Sequence, residues 1–241
     1  MNLILTMAGK YKRFQDAGFN IPKYLLPWGD STILSAVLRG FSKSRQIKNI
    51  YLIGNKRDHA FTPHIHALLR SCGIGTGNLF LINDTHGQAA TGMIGLDLIA
   101  NVDKGVMSEP ILFHNIDTLL TNRNFEDILE SLSKSAAYVD VFHANHHQYS
   151  YVVCNENNDV TELAEKIVIS NCASSGLYAF QSGETYKNYY KNCDIYISDV
   201  IRKILKDGKR VKASNPHSEH DTIVLGTPSE YFNQAIVSNF L

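Results

Sequence analysis

The sequence predicts a single α/β domain: a mixed, mostly parallel sheet flanked by helices, with a small β-rich lobe added by its second half. Three observations carry this. Short apolar runs compatible with strands alternate with amphipathic stretches through the first 145 residues, as a doubly wound sheet requires. The 241-residue chain is 44% hydrophobic, enough for one substantial core. After about residue 145 the alternation gives way to paired strands around polar turns.

The elements follow in order. Leu3–Leu5 is a short apolar strand at the start of the chain. Ser31–Ser44 puts Ile33, Leu34, Val37, Leu38 and Phe41 on one helical face. Asn49–Ile53 is a second strand, Ala60–Ser71 a helix, Leu79–Ile82 a third strand and Ala89–Ala100 a helix. Ile111–Phe113 is the fourth strand, Phe125–Lys134 a helix and Tyr138–Phe142 the fifth strand. Tyr149–Cys154 and Val160–Leu163 flank the polar turn Asn155–Asp159 as a hairpin. Ala173–Phe180 is a further strand, Tyr186–Lys191 and Ser198–Asp207 are helices, and Lys209–Ala213 and Thr222–Leu225 are short strands. The last helix has a clear start, with Thr227 to cap it, Pro228 in the first turn and Glu230 completing a capping box.

Composition narrows the function. Lys plus Arg and Asp plus Glu number 23 each, so no basic excess points to nucleic acid. Cys72, Cys154, Cys172 and Cys193 are far apart and read as reduced thiols of a cytoplasmic protein. The N-terminus does not have the pattern of a signal peptide, and no apolar run approaches the roughly 18 residues of a membrane span. Adjacent His146 and His147 would point to opposite faces of a strand, so they do not suggest a chelate, and His64 and His66 have no evident third ligand.

Ligands of such sheets bind at the carboxyl ends of the strands, and three polar segments are expected there. After the first strand, Ala8-Gly9 lets a base or phosphate approach the backbone, and Lys10, Lys12 and Arg13 add positive charge. After the third, Asp84 to Thr91 brings Gly87 and Gln88, whose amide can read a base edge, to a helix start. After the fourth, His114-Asn115-Ile116-Asp117 brings a carboxylate that can hold Mg²⁺ against phosphate oxygens. Pro22 and Pro27 hold the chain extended around Lys23, which aims a point charge. Lys166 follows the hairpin, where it could meet the phosphate of a second substrate. Each feature has a plain reading too: a basic surface loop, a solvated lysine, a capping aspartate, a Glu-Lys surface pair.

Taken in order, these segments resemble the sugar-phosphate nucleotidyltransferases, the NDP-sugar pyrophosphorylases. The set is Ala8-Gly9…Arg13, Pro22-Lys23-Tyr-Leu-Leu-Pro27, Thr85-His-Gly-Gln88, Asn115-Ile-Asp117, Glu165-Lys166 and Gly226-Thr-Pro228. Ile169-Ser170…Ala173…Gly176-Leu-Tyr178 and Tyr196-Ile-Ser-Asp199 are similar to the branch found in capsule and surface-polysaccharide gene clusters. The resemblance runs from Leu3 to Tyr231 and implies a single GT-A-type domain, with residues 1–145 as the nucleotide-binding half and 146–241 as the acceptor-binding half and C-terminal helix.

The resemblance also implies a reaction. An acceptor phosphate attacks the α-phosphorus of a nucleoside triphosphate, pyrophosphate leaves, and Mg²⁺ is the cofactor. Arg13 would hold the β- and γ-phosphates, Lys23 the α-phosphate, Lys166 the acceptor phosphate and Asp117 the metal. Ala8, Gly9, Gly87 and Gln88 would line the base pocket, with Lys10, Lys12 and Asn115 on the nucleotide. No nucleic acid or membrane partner is implied, and a homo-oligomer is compatible with it.

Three departures stand out. The family loop Gly-x-Gly-Thr/Ser-Arg is here Gly9-Lys-Tyr-Lys-Arg13, with Tyr11 at the second glycine. Many members carry a metal-binding Asp where this chain has Val224; either Asp221 or Glu219 substitutes from a neighbouring position, or the metal has one protein carboxylate only. The chain lacks the left-handed β-helix extension of some relatives, so acetyl transfer is not implied. Cytidylyl transfer to a non-sugar phosphate, a GT-A-type glycosyltransferase and a catalytically silent nucleotide-binding protein remain the alternatives.

Overall fold

A computed structural model describes residues 1–238, with side chains through 235; residues 239–241 lie outside the described residues. The first half contains β1 (Asn2–Thr6), α1 (Lys12–Asp16), β2 (Pro27–Trp28), β3 (Ser31–Thr32), α2 (Ile33–Ser42), β4 (Asn49–Asn55), α3 (Thr62–Ser71), β5 (Leu79–Ile82) and α4 (Gln88–Ala100). Then come β6 (Ile111–Asn115), β7 (Thr118–Leu120), α5 (Phe125–Ser133) and β8 (Ala137–His143). The second half adds β9 (Ser150–Cys154), β10 (Val160–Glu165), β11 (Cys172–Phe180), α6 (Gly183–Tyr189), α7 (Ile197–Lys206), β12 (Val211–Ala213), β13 (Thr222–Val224) and α8 (Pro228–Ser238).

Nine strands form one mixed sheet, in the order β10-β9-β11-β6-β1-β4-β5, with β8 and β12 branching from β11. β1 lies parallel between β4 and β6, and β5 continues the parallel part. β11 turns the sheet antiparallel, pairing with β6 and β8. The expected α/β architecture is therefore present; its central parallel part, β6-β1-β4-β5, comes from the first half, and β12 pairs parallel with β8.

Alternation along the strands separates the two faces. Leu3, Leu5, Leu52 and Leu112 pack with α2, α3 and α5 through Leu34, Val37, Ile65, Leu69, Ile128 and Leu132. Ile4, Ile53, Ile111 and Phe113 pack on the other face with α4, α6 and α7 through Met93, Leu96, Tyr186, Val200 and Ile204. Burial on both faces is why the central strands read as continuous apolar runs.

Some boundaries differ from the sequence reading. α2 begins at Ile33 because Thr32 caps it, accepting from Ser35 N at 3.2 Å. α6 starts three residues before the expected Tyr186, because Ser182 accepts from Thr185 N at 3.0 Å and sets the start. The short α1 was not anticipated: Tyr11 takes φ 35° and ψ 35°, and that turn starts a helix at Lys12 in what reads as a loop.

Candidate active site

The ends of β1 and β6 and the start of α4 open onto one cleft made of two adjoining cavities, of about 550 and 470 Å³. Tyr11, Lys23, Gln88, Asn115 and Asp117 line both and form the junction between them.

Ala8, Gly9, Lys10, Asp84, Thr85, Gly87 and Thr91 line the first cavity. Its rim is braced by Asp84, which accepts from Asn55 Nδ2 at 2.8 Å and from Arg57 Nη2 at 2.7 Å. Arg57 also donates to the Ala8 carbonyl at 3.2 Å, which fixes the loop after β1. The Asn55 hydrogen bond, joined by the charges of Arg57 and Lys10, holds the Asp84 carboxyl below its usual range. Gln88 donates from Nε2 to Thr6 Oγ1 at 3.1 Å and also to Asn115 Oδ1, tying α4 to the ends of β1 and β6.

At the junction, the Lys23 ammonium contacts the Asp117 carboxylate in a mostly buried ion pair. Burial alone would raise the Asp117 pKa; the charge and hydrogen bond of Lys23 outweigh it and hold the carboxyl below the usual range. Asp117 is therefore an ionised, hard oxygen ligand facing both cavities. Among the described residues no group of three or more His, Cys, Asp or Glu side chains forms a metal cage. A cation held by carboxylate and completed by substrate phosphates and water fits this donor set, and that is how Mg²⁺ is usually bound. Beneath the junction, His114 is fully buried, its Nε2–H donating to the Thr118 carbonyl at 2.8 Å, and burial lowers its pKa to about 4.

Lys12, Arg13, Lys166 and Tyr196 line the second cavity with hydroxyl and carboxylate groups from β9 to α8. Lys166 follows β10 with φ 57°; its ammonium lies 4.5 Å from the Tyr196 ring centroid and contacts the Tyr196 hydroxyl. Glu165 accepts from Ser198 Oγ at 2.7 Å and from Ser150 Oγ, joining β9, β10 and α7. Within β11 the register shifts between Ser174 and Tyr178, and Gly176 sits there with φ 86°. Its missing Cβ makes room for the Asn115 side chain, so the irregularity in β11 shapes the cleft floor.

The structure thus brings together Ala8, Gly9, Lys10, Lys12, Arg13, Lys23, Gly87, Gln88, Asn115, Asp117 and Lys166 along one cleft. Four are placed differently from the expectation: Lys12 and Arg13, expected on the nucleotide, line the second cavity and not the first, and Lys10 and Gly87 also depart from it. Lys10 sits on the rim, its ammonium 3.5 Å from Asp84. Gly87 lines the first cavity, but its close backbone approach is to Ile195, before α7. Asp221, expected as a metal ligand, lines neither cavity. β13 runs antiparallel to β7 with Val224 opposite Thr118 and Thr222 opposite Leu120, so Asp221 is carried away from Asp117. It accepts instead from Thr121 Oγ1 at 3.0 Å and Asn122 Nδ2 at 2.7 Å.

Besides Asp117 and Glu165, the second cavity is lined by a carboxylate from α8, Glu230. Thr227 Oγ1 donates to Glu230 Oε2 at 2.9 Å and accepts from Glu230 N at 3.2 Å. An atom at the missing Cβ of Gly226 would lie 3.1 Å from Asp117 Oδ2 and 3.5 Å from Glu230 Oε2, so the two carboxylates face each other across that glycine. In the sequence Glu230 signals only a helix start. Gln148, Tyr149, Ser174 and Ser175 also line this cavity and carry no sequence signal of their own.

Comparison with known proteins gives the family and fold relatives of this chain. The family model described as nucleotidyl transferase matches residues 2–235. The chain is 25% identical over 231 residues to the bifunctional protein GlmU of Streptococcus thermophilus, covering 87% of this chain and 45% of that one. It spans about half the length of the curated relatives it matches. Among solved structures, it is similar to a nucleoside-diphosphate-sugar pyrophosphorylase from Vibrio cholerae, with a TM-score of 0.82, 26% identity and coverage of 97% and 98% of the two chains. It shares the fold of the inositol-1-phosphate CTP transferase from T. maritima, with a TM-score of 0.71, 16% identity and coverage of 95% and 90%.

Proposed function

The chain belongs to the nucleotidyl transferase family, and from that premise we propose that it joins a nucleoside triphosphate to a sugar phosphate with release of pyrophosphate. The observation that carries this reading is the Lys23–Asp117 pair on the wall shared by two cavities. A nucleotide in one and a phosphorylated acceptor in the other would meet there. Residues 1–145 supply most of the nucleotide side, and residues from 146 onward most of the acceptor side.

An acceptor phosphate oxygen attacks the α-phosphorus in line, a new P–O bond forms, and the bond to the bridging oxygen of pyrophosphate breaks. The protein's work is positioning and charge neutralisation. Lys23 binds the α-phosphate, Arg13 and Lys12 the leaving phosphates, and Lys166, steadied by Tyr196, the acceptor phosphate. Asp117, with Glu230 across Gly226, would hold Mg²⁺, which supplies charge neutralisation on the phosphates when bound. Ala8, Gly9, Gly87, Gln88 and Asn115 position the nucleoside.

The acceptor cavity favours a polyhydroxylated substrate: Gln148, Ser150, Ser174, Ser175, Glu165 and Glu230 offer donors and acceptors beside Tyr149 and Tyr178. This supports a sugar phosphate and, with the capsule-branch resemblance, a role in making precursors of surface polysaccharide. The V. cholerae neighbour points to the same chemistry.

The test is pyrophosphate release from each of the four nucleoside triphosphates with a panel of sugar 1-phosphates and non-sugar phosphates. Release with one matched pair is expected. Transfer only from a finished nucleotide sugar would make the chain a glycosyltransferase.

A further inference from the structure

Asp58 lines neither cavity, yet its carboxylate is 1% exposed and receives two phenols from the cation-bearing segments. Tyr11 OH donates to Oδ1 at 2.7 Å and Tyr24 OH to Oδ2 at 2.9 Å. Tyr11 immediately precedes Lys12 and Arg13, and Tyr24 immediately follows Lys23. We propose that Asp58 is a positioning residue that ties the Lys12–Arg13 segment to the Lys23 turn, so that the three cations meet a triphosphate as one preset group. The identity of that ligand rests on the function proposed above; the tether itself does not.

Four observations support it. Tyr11 has a left-handed backbone, φ 35° and ψ 35°, which bulky residues avoid, so the loop needs an outside restraint. The phenol–carboxylate bond is one restraint, and the Arg57 guanidinium, 6.0 Å from the centroid of the Tyr11 ring, is another. Asp58 itself is held on a short 3₁₀ turn after β4, capped by Asn55, whose Oδ1 accepts from Arg57 N at 2.9 Å. Burial, reinforced by the Asp58 charge, pushes both phenols well above their usual range, so both remain donors.

The variants Asp58→Asn, Tyr11→Phe, Tyr24→Phe and Tyr11→Gly test the tether through two readouts. These are amide hydrogen exchange of residues 9–17 and 22–26, and affinity for inorganic tripolyphosphate. The last three remove no buried charge, so they keep the test open should Asp58→Asn fold poorly. Asp58→Asn is expected to speed exchange in both segments, Tyr11→Phe in the first and Tyr24→Phe in the second. Each should weaken tripolyphosphate binding about tenfold, the effect of one hydrogen bond to a charged group. Tyr11→Gly accepts the backbone angle but has no hydroxyl, and should weaken binding equally.

Wild-type affinity in Tyr11→Gly, or wild-type exchange in either segment of Asp58→Asn, overturns the proposal. A lowered melting temperature with unchanged tripolyphosphate affinity also overturns it, leaving Asp58 a purely structural group. Failure of the wild type to release pyrophosphate would count against the proposed function while leaving the exchange result standing.

Discussion

Replacing Gly87 by alanine should damage the acceptor side of the cleft from the nucleotide side. A Cβ at Gly87 would sit 2.7 and 2.8 Å from the Ile195 Cα and carbonyl carbon, and closer still to its carbonyl oxygen. Ordinary carbon contacts begin near 3.5 Å, so one backbone segment must yield by about 0.8 Å or more. Ile195 is poorly placed to do so. Its carbonyl accepts from Ala89 N at 3.0 Å, its amide donates to Asp199 at 3.1 Å, and His86 Nε2 donates to the neighbouring Asp194 carbonyl at 3.0 Å. The next residue is Tyr196, which holds Lys166. The clash should cost about 1–3 kcal/mol of stability. A displacement of Lys166 approaching 1 Å should cost up to about 100-fold in kcat/KM. Calorimetry and pyrophosphate-release kinetics on Gly87→Ala read both quantities. Gly9→Ala is the control: no atom lies within 4 Å of its added Cβ, so its melting temperature should stay unchanged while nucleotide affinity falls. Gly87→Ala with wild-type stability and kcat/KM would refute the coupling between the two sides.

Three further outcomes follow from the site. Lys23→Ala and Asp117→Ala should each abolish turnover with the fold intact by circular dichroism. Lys23→Ala should lower stability by about 1–2 kcal/mol, the cost of unpairing a buried charge discounted for partial exposure. Glu230→Gln should raise the Mg²⁺ concentration for half-maximal activity several-fold, and weaken binding of Mn²⁺ in the absence of substrate as read by electron paramagnetic resonance. His114 gives a pH signature. Its folded pKa of about 4 lies below the ordinary 6.5, so the unfolded chain takes up the proton first. Its contribution is complete above pH 6.5 and is lost as the pH falls toward 4, by up to about 3 kcal/mol at about 1.4 kcal/mol per pH unit. Urea midpoints between pH 6.5 and 4.5 should fall less steeply in His114→Gln.

What could be read from the sequence depended on whether a signal was local. β1, β4 and β6 are buried on both faces and announce themselves as apolar runs. The residues expected at their carboxyl ends, from Ala8 to Arg13 and from Asn115 to Asp117, follow directly from that placement. α1 stayed hidden because five residues carry no periodicity and its start depends on the backbone of Tyr11. Asp221 is the expected substitute because it lies three residues from Val224 along the chain, while Glu230 signals only a helix start. Antiparallel pairing reverses that advantage: three residues of strand carry Asp221 about 10 Å from the Val224 position. α8 instead brings Glu230 back across Gly226. Asp58 has no sequence signature, because its two phenolic partners lie 47 and 34 residues away.

The proposed function makes the two cavities one nucleotidyl-transfer site joined at Lys23 and Asp117. Its most direct test is isotope transfer. The protein is incubated with Mg²⁺, an α-³²P-labelled nucleoside triphosphate and a sugar 1-phosphate, each triphosphate being tried with the acceptor panel. Label should appear in a nucleotide sugar with an equal amount of pyrophosphate, and neither product should form with Lys23→Ala. Label that never reaches any acceptor, or transfer undiminished in Lys23→Ala, would contradict it.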